Sequence, residues 1–154
     1  MSNYGATVHG QRGEQPFIDK RYSRRHECHV DGGAVVPGSS SPHAVRVPCS
    51  DLAAVDPEEA FVASVSSCQM TWFLDVASRA GWVVDGYRDH ALGVMAPNAE
   101  GKLTMTFVTL RSAVRFCGAK QPDANQVHAL HHQARAECFI ASSVKSQVRC
   151  EPVA

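Results

Sequence analysis

The stretch Val55–Leu74, VDPEEAFVASVSSCQMTWFL, decides how the chain is read. Asp56 is a good helix N-cap, Pro57 fits the first helical position, and Glu59 three residues on completes a capping box. Glu58 and Glu59 also favour the positive end of the helix dipole. Ala80-Gly81 supplies the stop. Between these signals Phe61, Val62, Val65, Met70, Trp72, Phe73, Leu74 and Val76 leave little polar face. Such a helix is expected inside a core or inside an oligomer. Its middle carries a thiol, Cys68, just after Ser64, Ser66 and Ser67.

Outward from this helix the pattern is mostly extended. Upstream, NYGATVHGQR and RYSRRHECHV alternate as strands, the second placing Tyr22, Arg24, His26 and Cys28 on one face. DGGAVVPGSSSPH reads as loop, a short extended piece, then loop, and AVRVPCSD as a further short strand. Downstream, WVVDGYRDHALGVMA and KLTMTFVTLRSAVRFCG form a hairpin around PNAEG. A second helix starts after KQPD with Asp123 as cap and runs through ANQVHALHHQARAEC. FIASSVKS continues it after a break, and QVRCEPV is a closing strand. Grouped strands and helices, rather than strict β-α alternation, indicate a single α+β domain over residues 1–154.

The chain has 154 residues, 44% hydrophobic and 19% charged, with a net charge of zero. That balance gives no electrostatic reason to expect nucleic acid or an acidic membrane surface. The N-terminus lacks the apolar segment of a signal peptide, and no run reaches the ~18 apolar residues of a membrane span. A cytoplasmic protein is expected, with its six cysteines mostly reduced. They contain no C-x-x-C pair, which argues against a zinc knuckle or a thioredoxin-type motif.

Three residue types, at six positions, carry possible chemistry. Cys68 sits mid-helix, where the dipole is weak, so a reactive thiolate there needs a cation brought from elsewhere; otherwise it is a packed, inert thiol. Glu58 lies about 15 Å along the helix axis from Cys68. It cannot touch the thiol, but an arginine between them could touch both; alone, Glu58 reads as helix-start electrostatics. Cys138, in ARAECFIASSV, is a second helix cysteine, able to meet Cys68 if the two helices pack side by side. His128, His131 and His132 have metal-ligand spacing on one helix face, yet no carboxylate or second cysteine joins them, and a solvated histidine face is the plainer reading.

Together the segments DPEEAFVASVSSC and ECFIASSV resemble the two cysteine motifs of the OsmC/Ohr family of thiol-dependent peroxidases. RYSRRHECHVDGGAVVPGSSSPH is similar to the OsmC-like subgroup, which often shows Tyr-Ser-Arg-x-His there. The resemblance implies an intertwined homodimer in which antiparallel sheets wrap two central helices, without metal or organic cofactor. It implies that Cys68 attacks an organic hydroperoxide, and hydrogen peroxide less well, to give a sulfenic acid. Cys138 then resolves it to a disulfide, which an external thiol or dithiol reduces. The implied role is oxidative or osmotic stress defence. Glu58 matches the carboxylate that holds the family's arginine. Arg24 fits the Tyr-Ser-Arg-x-His motif and is preferred; Arg12 and Arg46 are the alternatives. An apolar funnel of Phe61, Trp72 and Phe73 would favour organic substrates. Many relatives have His after the first cysteine, where this chain has Gln69. The rival expectation is a non-catalytic dimer of the same fold that binds a small apolar ligand and keeps its cysteines for packing.

Overall fold

The computed structural model describes residues 1–153. The chain forms two compact units, one ending at Ala60 and one beginning at Phe61. In the N-terminal unit, strands β1 (Ala6–Gly10), β2 (His26–Val30) and β3 (Val35–Gly38) form an antiparallel sheet with β2 in the middle. Ala6 pairs with Val30, and His26 pairs with Gly38. A side chain at position 38 would collide with the His26 ring, so glycine lets β3 close on β2. The turn between them uses Gly33 at φ 83, a left-handed conformation that glycine adopts without steric cost.

Two expectations for this unit are corrected. β2 begins only at His26, so Arg24 lies outside the strand. The Arg24 backbone N–H donates to Cys49 O at 2.7 Å rather than to a strand partner. Ala44–Asp51 is a run of turns, not a strand. Ala44 and Val45 both donate to Ser41 O, and Pro48 has no N–H to give a ladder.

Helix α1 (Pro57–Arg79) starts as its sequence requires. Asp56 Oδ1 accepts from Glu59 N at 2.8 Å, and Glu59 Oε2 accepts from Asp56 N at 3.2 Å. It ends at Gly81, φ 80, where Trp82 N–H reaches back to Ala77 O.

In the C-terminal unit, β4 (Val83–Asp89), β5 (Leu92–Pro97), β6 (Leu103–Leu110) and β7 (Ser112–Cys117) are followed by α2 (Ala124–Glu137), α3 (Phe139–Ser143) and β8 (Gln147–Cys150). The expected hairpin around PNAEG is present, but each of its long arms divides, at His90–Ala91 and at Arg111. β4 pairs with β7 in one sheet and β5 with β6 in another, both antiparallel. β8 joins β6 in parallel, an exception to the expected antiparallel pattern. Asp123 caps α2 as expected, its side chain accepting from Gln126 N at 2.8 Å.

The buried residues of α1, Val65, Gln69, Phe73, Val76 and Ala77, recur at helical spacing along one stripe. Phe73, Val76 and Ala77 pack with Leu130 and Ala134 of α2, while Val65 packs with Val108, Leu110 and Val148. Each fully buried Val, Leu or Phe side chain contributes about 2 kcal/mol. The remainder of α1 is half-buried or exposed in the single chain, Leu74 being 37% exposed. No helix among the described residues is long and apolar enough to cross a membrane.

Candidate functional site

The C-terminal unit brings together the two cysteines that the sequence separates by 70 positions. Cys138 Sγ donates to Cys68 Sγ at 2.7 Å, and both are free thiols. Cys68 projects from the middle of α1 and is half-buried. Cys138 is fully buried at the junction of α2 and α3. That junction is an extended residue, φ −68 and ψ 111, which ends α2 and caps α3. The Cys138 sulfur also accepts from Ala141 N at 3.3 Å.

Burial pushes the Cys138 thiol up to about 11, and its hydrogen bond to Cys68 acts in the same direction. At neutral pH Cys138 therefore keeps its proton and aims it at the Cys68 sulfur.

Aromatic groups flank the pair. Trp72, one turn after Cys68, meets Phe139 edge-on at 5.2 Å between centroids. Phe139 is 68% exposed and was not among the residues expected to line a funnel. Phe73 was, but it is completely buried in the core against Tyr87, Phe116 and His131. Its position one residue past Trp72 turns it about 100° around the helix, away from the side that bears Trp72.

In the N-terminal unit Glu58 is half-buried at the start of α1, and its Oε2 is buried with no hydrogen-bond partner among the described residues. None of the three candidate arginines satisfies it. The Arg24 guanidinium lies over the Tyr22 ring, 3.6 Å from its centroid, and donates to Lys20 O at 3.0 Å and to Tyr22 O. Arg12 donates to Gln15 O at 2.5 Å, and the Arg46 side chain is exposed. The acid and the arginine expected to serve Cys68 are thus each placed within this unit, but not on one another.

The histidine helix divides by burial. His131 is 1% exposed, whereas His128 and His132 face solvent. Among the described residues no group of three or more His, Cys, Asp or Glu is arranged to hold a metal ion.

One polar feature escaped the sequence reading, and a second was noted there only as a departure from the family pattern. Ser66 Oγ donates to Asp89 Oδ2 at 2.5 Å, and Ser112 links Asp89 Oδ1 (3.4 Å) with the Tyr87 hydroxyl (2.7 Å). This chain of contacts ties α1 to β4 and β7. Burial raises the Tyr87 hydroxyl to about 12, so it remains a neutral partner. The second is Gln69, whose Nε2 donates to His131 O at 3.2 Å.

No curated protein matches the chain in a sequence search. Among solved structures, an OsmC-like protein of unknown function from Vibrio cholerae is 44% identical, covers 99% of this chain and 100% of its own, and superposes with a TM-score of 0.97. An organic hydroperoxide resistance protein OsmC from Legionella pneumophila is 15% identical, with 99% and 96% coverage and a TM-score of 0.69. The organic hydroperoxide resistance protein OhrB of Bacillus subtilis is 16% identical, with 99% and 98% coverage and a TM-score of 0.68. The last two share the fold. The family described as OsmC-like protein matches residues 50–152, a span that holds both thiols, both long helices and all of the C-terminal strands. The α+β architecture, the helix start and the two cysteine segments converge with that match: the chain belongs to the OsmC-like family.

Proposed function

We propose that this protein is a thiol-dependent peroxidase that reduces organic hydroperoxides. The observation that supports this reading above all others is the 2.7 Å contact between Cys68 and Cys138. Two of the relatives in fold are organic hydroperoxide resistance proteins. In the first step the Cys68 thiolate attacks the outer oxygen of the hydroperoxide. The O–O bond breaks, the alcohol leaves after taking up a proton, and Cys68 becomes a sulfenic acid. In the second, the Cys138 sulfur attacks the sulfenic sulfur, the S–S bond forms, and the hydroxyl leaves as water with the Cys138 proton. An external dithiol then returns two electrons and two protons.

Burial holds the Cys138 thiol protonated in the resting pair, so the proton that leaves with the hydroxyl as water is already on the attacking residue. The Trp72–Phe139 pair offers an apolar surface beside the thiols for an alkyl or aryl tail. Glu58 is assigned to orient an arginine, with Arg24 first among the three candidates. The unpartnered Glu58 Oε2 supports the need for such a donor, since a buried oxygen without one is costly.

The working form is proposed to be a cytoplasmic homodimer. Among the described residues of the N-terminal unit, no large hydrophobic side chain is buried, while Val8, Phe17, Ile18, Val30, Val35 and Val36 are exposed. A three-stranded sheet needs an apolar face covered to be stable, and a second copy of the chain supplies that cover.

Titration of free thiols before and after stoichiometric cumene hydroperoxide tests the reading. Loss of two thiols per chain is expected. No loss would favour a non-catalytic binder of small apolar molecules.

A further inference from the structure

Gln69 has no part in the scheme above, yet its placement asks for a reason. It is completely buried on the apolar stripe of α1 and directly follows Cys68. Its Nε2 donates to the His131 carbonyl of α2, while its Oε1 has no partner among the described residues. A buried amide with one end unsatisfied costs stability, and an apolar side chain of similar length would suit the stripe better. What the amide gives in return is a fixed join between the two helices. His131 precedes Cys138 by seven residues, which is two helical turns on the same face. The join therefore holds α2 against α1 next to Cys68, two turns before Cys138 on the same helix face.

We propose that Gln69 is a positioning residue for disulfide formation: its hydrogen bond to the His131 carbonyl holds α2 so that the Cys138 sulfur lies on the Cys68 sulfur. The proposal rests on the reading of Cys68 and Cys138 as attacking and resolving thiols. Gln69 touches neither reacting atom. It acts on the second step, in which Cys138 Sγ displaces hydroxide from the Cys68 sulfenic acid and water leaves. Without the join, Cys68 is still oxidised, but its sulfenic acid waits longer for Cys138.

The test uses Gln69→Met, which keeps length and loses the donor, and Gln69→Asn, which keeps the amide but is one carbon too short. Each reduced protein receives stoichiometric cumene hydroperoxide in the presence of dimedone. The partition between dimedone-labelled Cys68 and the disulfide is then measured, together with urea unfolding of the reduced form. The expected result is a shift toward the dimedone adduct, with disulfide formation slowed about five-fold, the worth of one hydrogen bond. Gln69→Met should be at least as stable as the wild type. A purely packing role would instead lower stability and leave the partition unchanged, and that result overturns the proposal. Should Gln69→Met not fold, Gln69→Asn decides by the same partition. If wild-type Cys68 gives neither adduct nor disulfide, the peroxidase reading falls first and this inference with it.

Discussion

Replacing His131 with leucine should reduce the acid sensitivity of the fold. The ring is 1% exposed, neither of its nitrogens has a hydrogen-bond partner among the described residues, and it lies 4.3 Å from the Phe73 ring. Burial, with a smaller contribution from nearby His128, lowers its pKa from 6.5 to about 4. The folded state thus holds His131 neutral where the unfolded chain would protonate it. A depressed folded value means that the associated stability is fully present above pH 6.5 and is lost as the pH falls toward 4. Between about pH 7.5 and about pH 4.5 the unfolded state gains its proton and the folded state mostly does not, which amounts to about 2.5 kcal/mol. Urea unfolding at the two pH values, at one fixed protein concentration, gives the wild-type change. The same pair of measurements on His131→Leu should show a smaller change by that amount. Carboxylates that titrate in the same range are common to both proteins and cancel in the difference. The reasoning is refuted if the two proteins lose equal stability on acidification.

Three further outcomes are expected. Cys68→Ser should abolish peroxidase turnover, whereas Cys138→Ser should allow one oxidation to the sulfenic acid and then stall or over-oxidise; steady-state assay and intact mass distinguish them, and full turnover by Cys68→Ser would contradict the assignment. The thermal midpoint should rise with protein concentration, as for an obligate homodimer, and a monomer by light scattering with a fixed midpoint would exclude it. Alkylation of Cys68, with the other cysteines replaced, should need higher pH in Arg24→Ala and, by less, in Glu58→Ala, with partial rescue by Arg24→Lys because a point charge cannot bridge as a planar fork does. A shift in Arg12→Ala or Arg46→Ala instead would move the role to that arginine, and no shift in any of them would remove the activated thiolate.

The start of α1 was legible because its signals are local: Asp56, Pro57 and Glu59 act within one turn, and the capping contacts follow. The hairpin was legible from alternation, but the breaks at His90–Ala91 and Arg111 were not, since the apolar pattern runs through both. The placement of the Arg24 guanidinium depends on Tyr22 offering a ring face and a carbonyl, a local competition that outweighs period-two alternation. At the site, each cysteine motif was visible in its own segment. Their contact depends on the extended geometry at Cys138 and on the packing of α2, neither of which leaves a pattern in the residues around Cys68. Phe73 shows the same limit: on an apolar helix, periodicity alone does not tell the face toward the core from the face toward a substrate.

The central claim is that Cys68 and Cys138 form one redox pair. Its most direct test is to oxidise the reduced protein with stoichiometric organic hydroperoxide, block remaining thiols with an alkylating agent, and map the peptides by mass spectrometry. The account predicts a Cys68–Cys138 disulfide, with Cys28, Cys49, Cys117 and Cys150 all alkylated. Alkylation of both Cys68 and Cys138, or a disulfide that pairs Cys68 with any other cysteine, would contradict it.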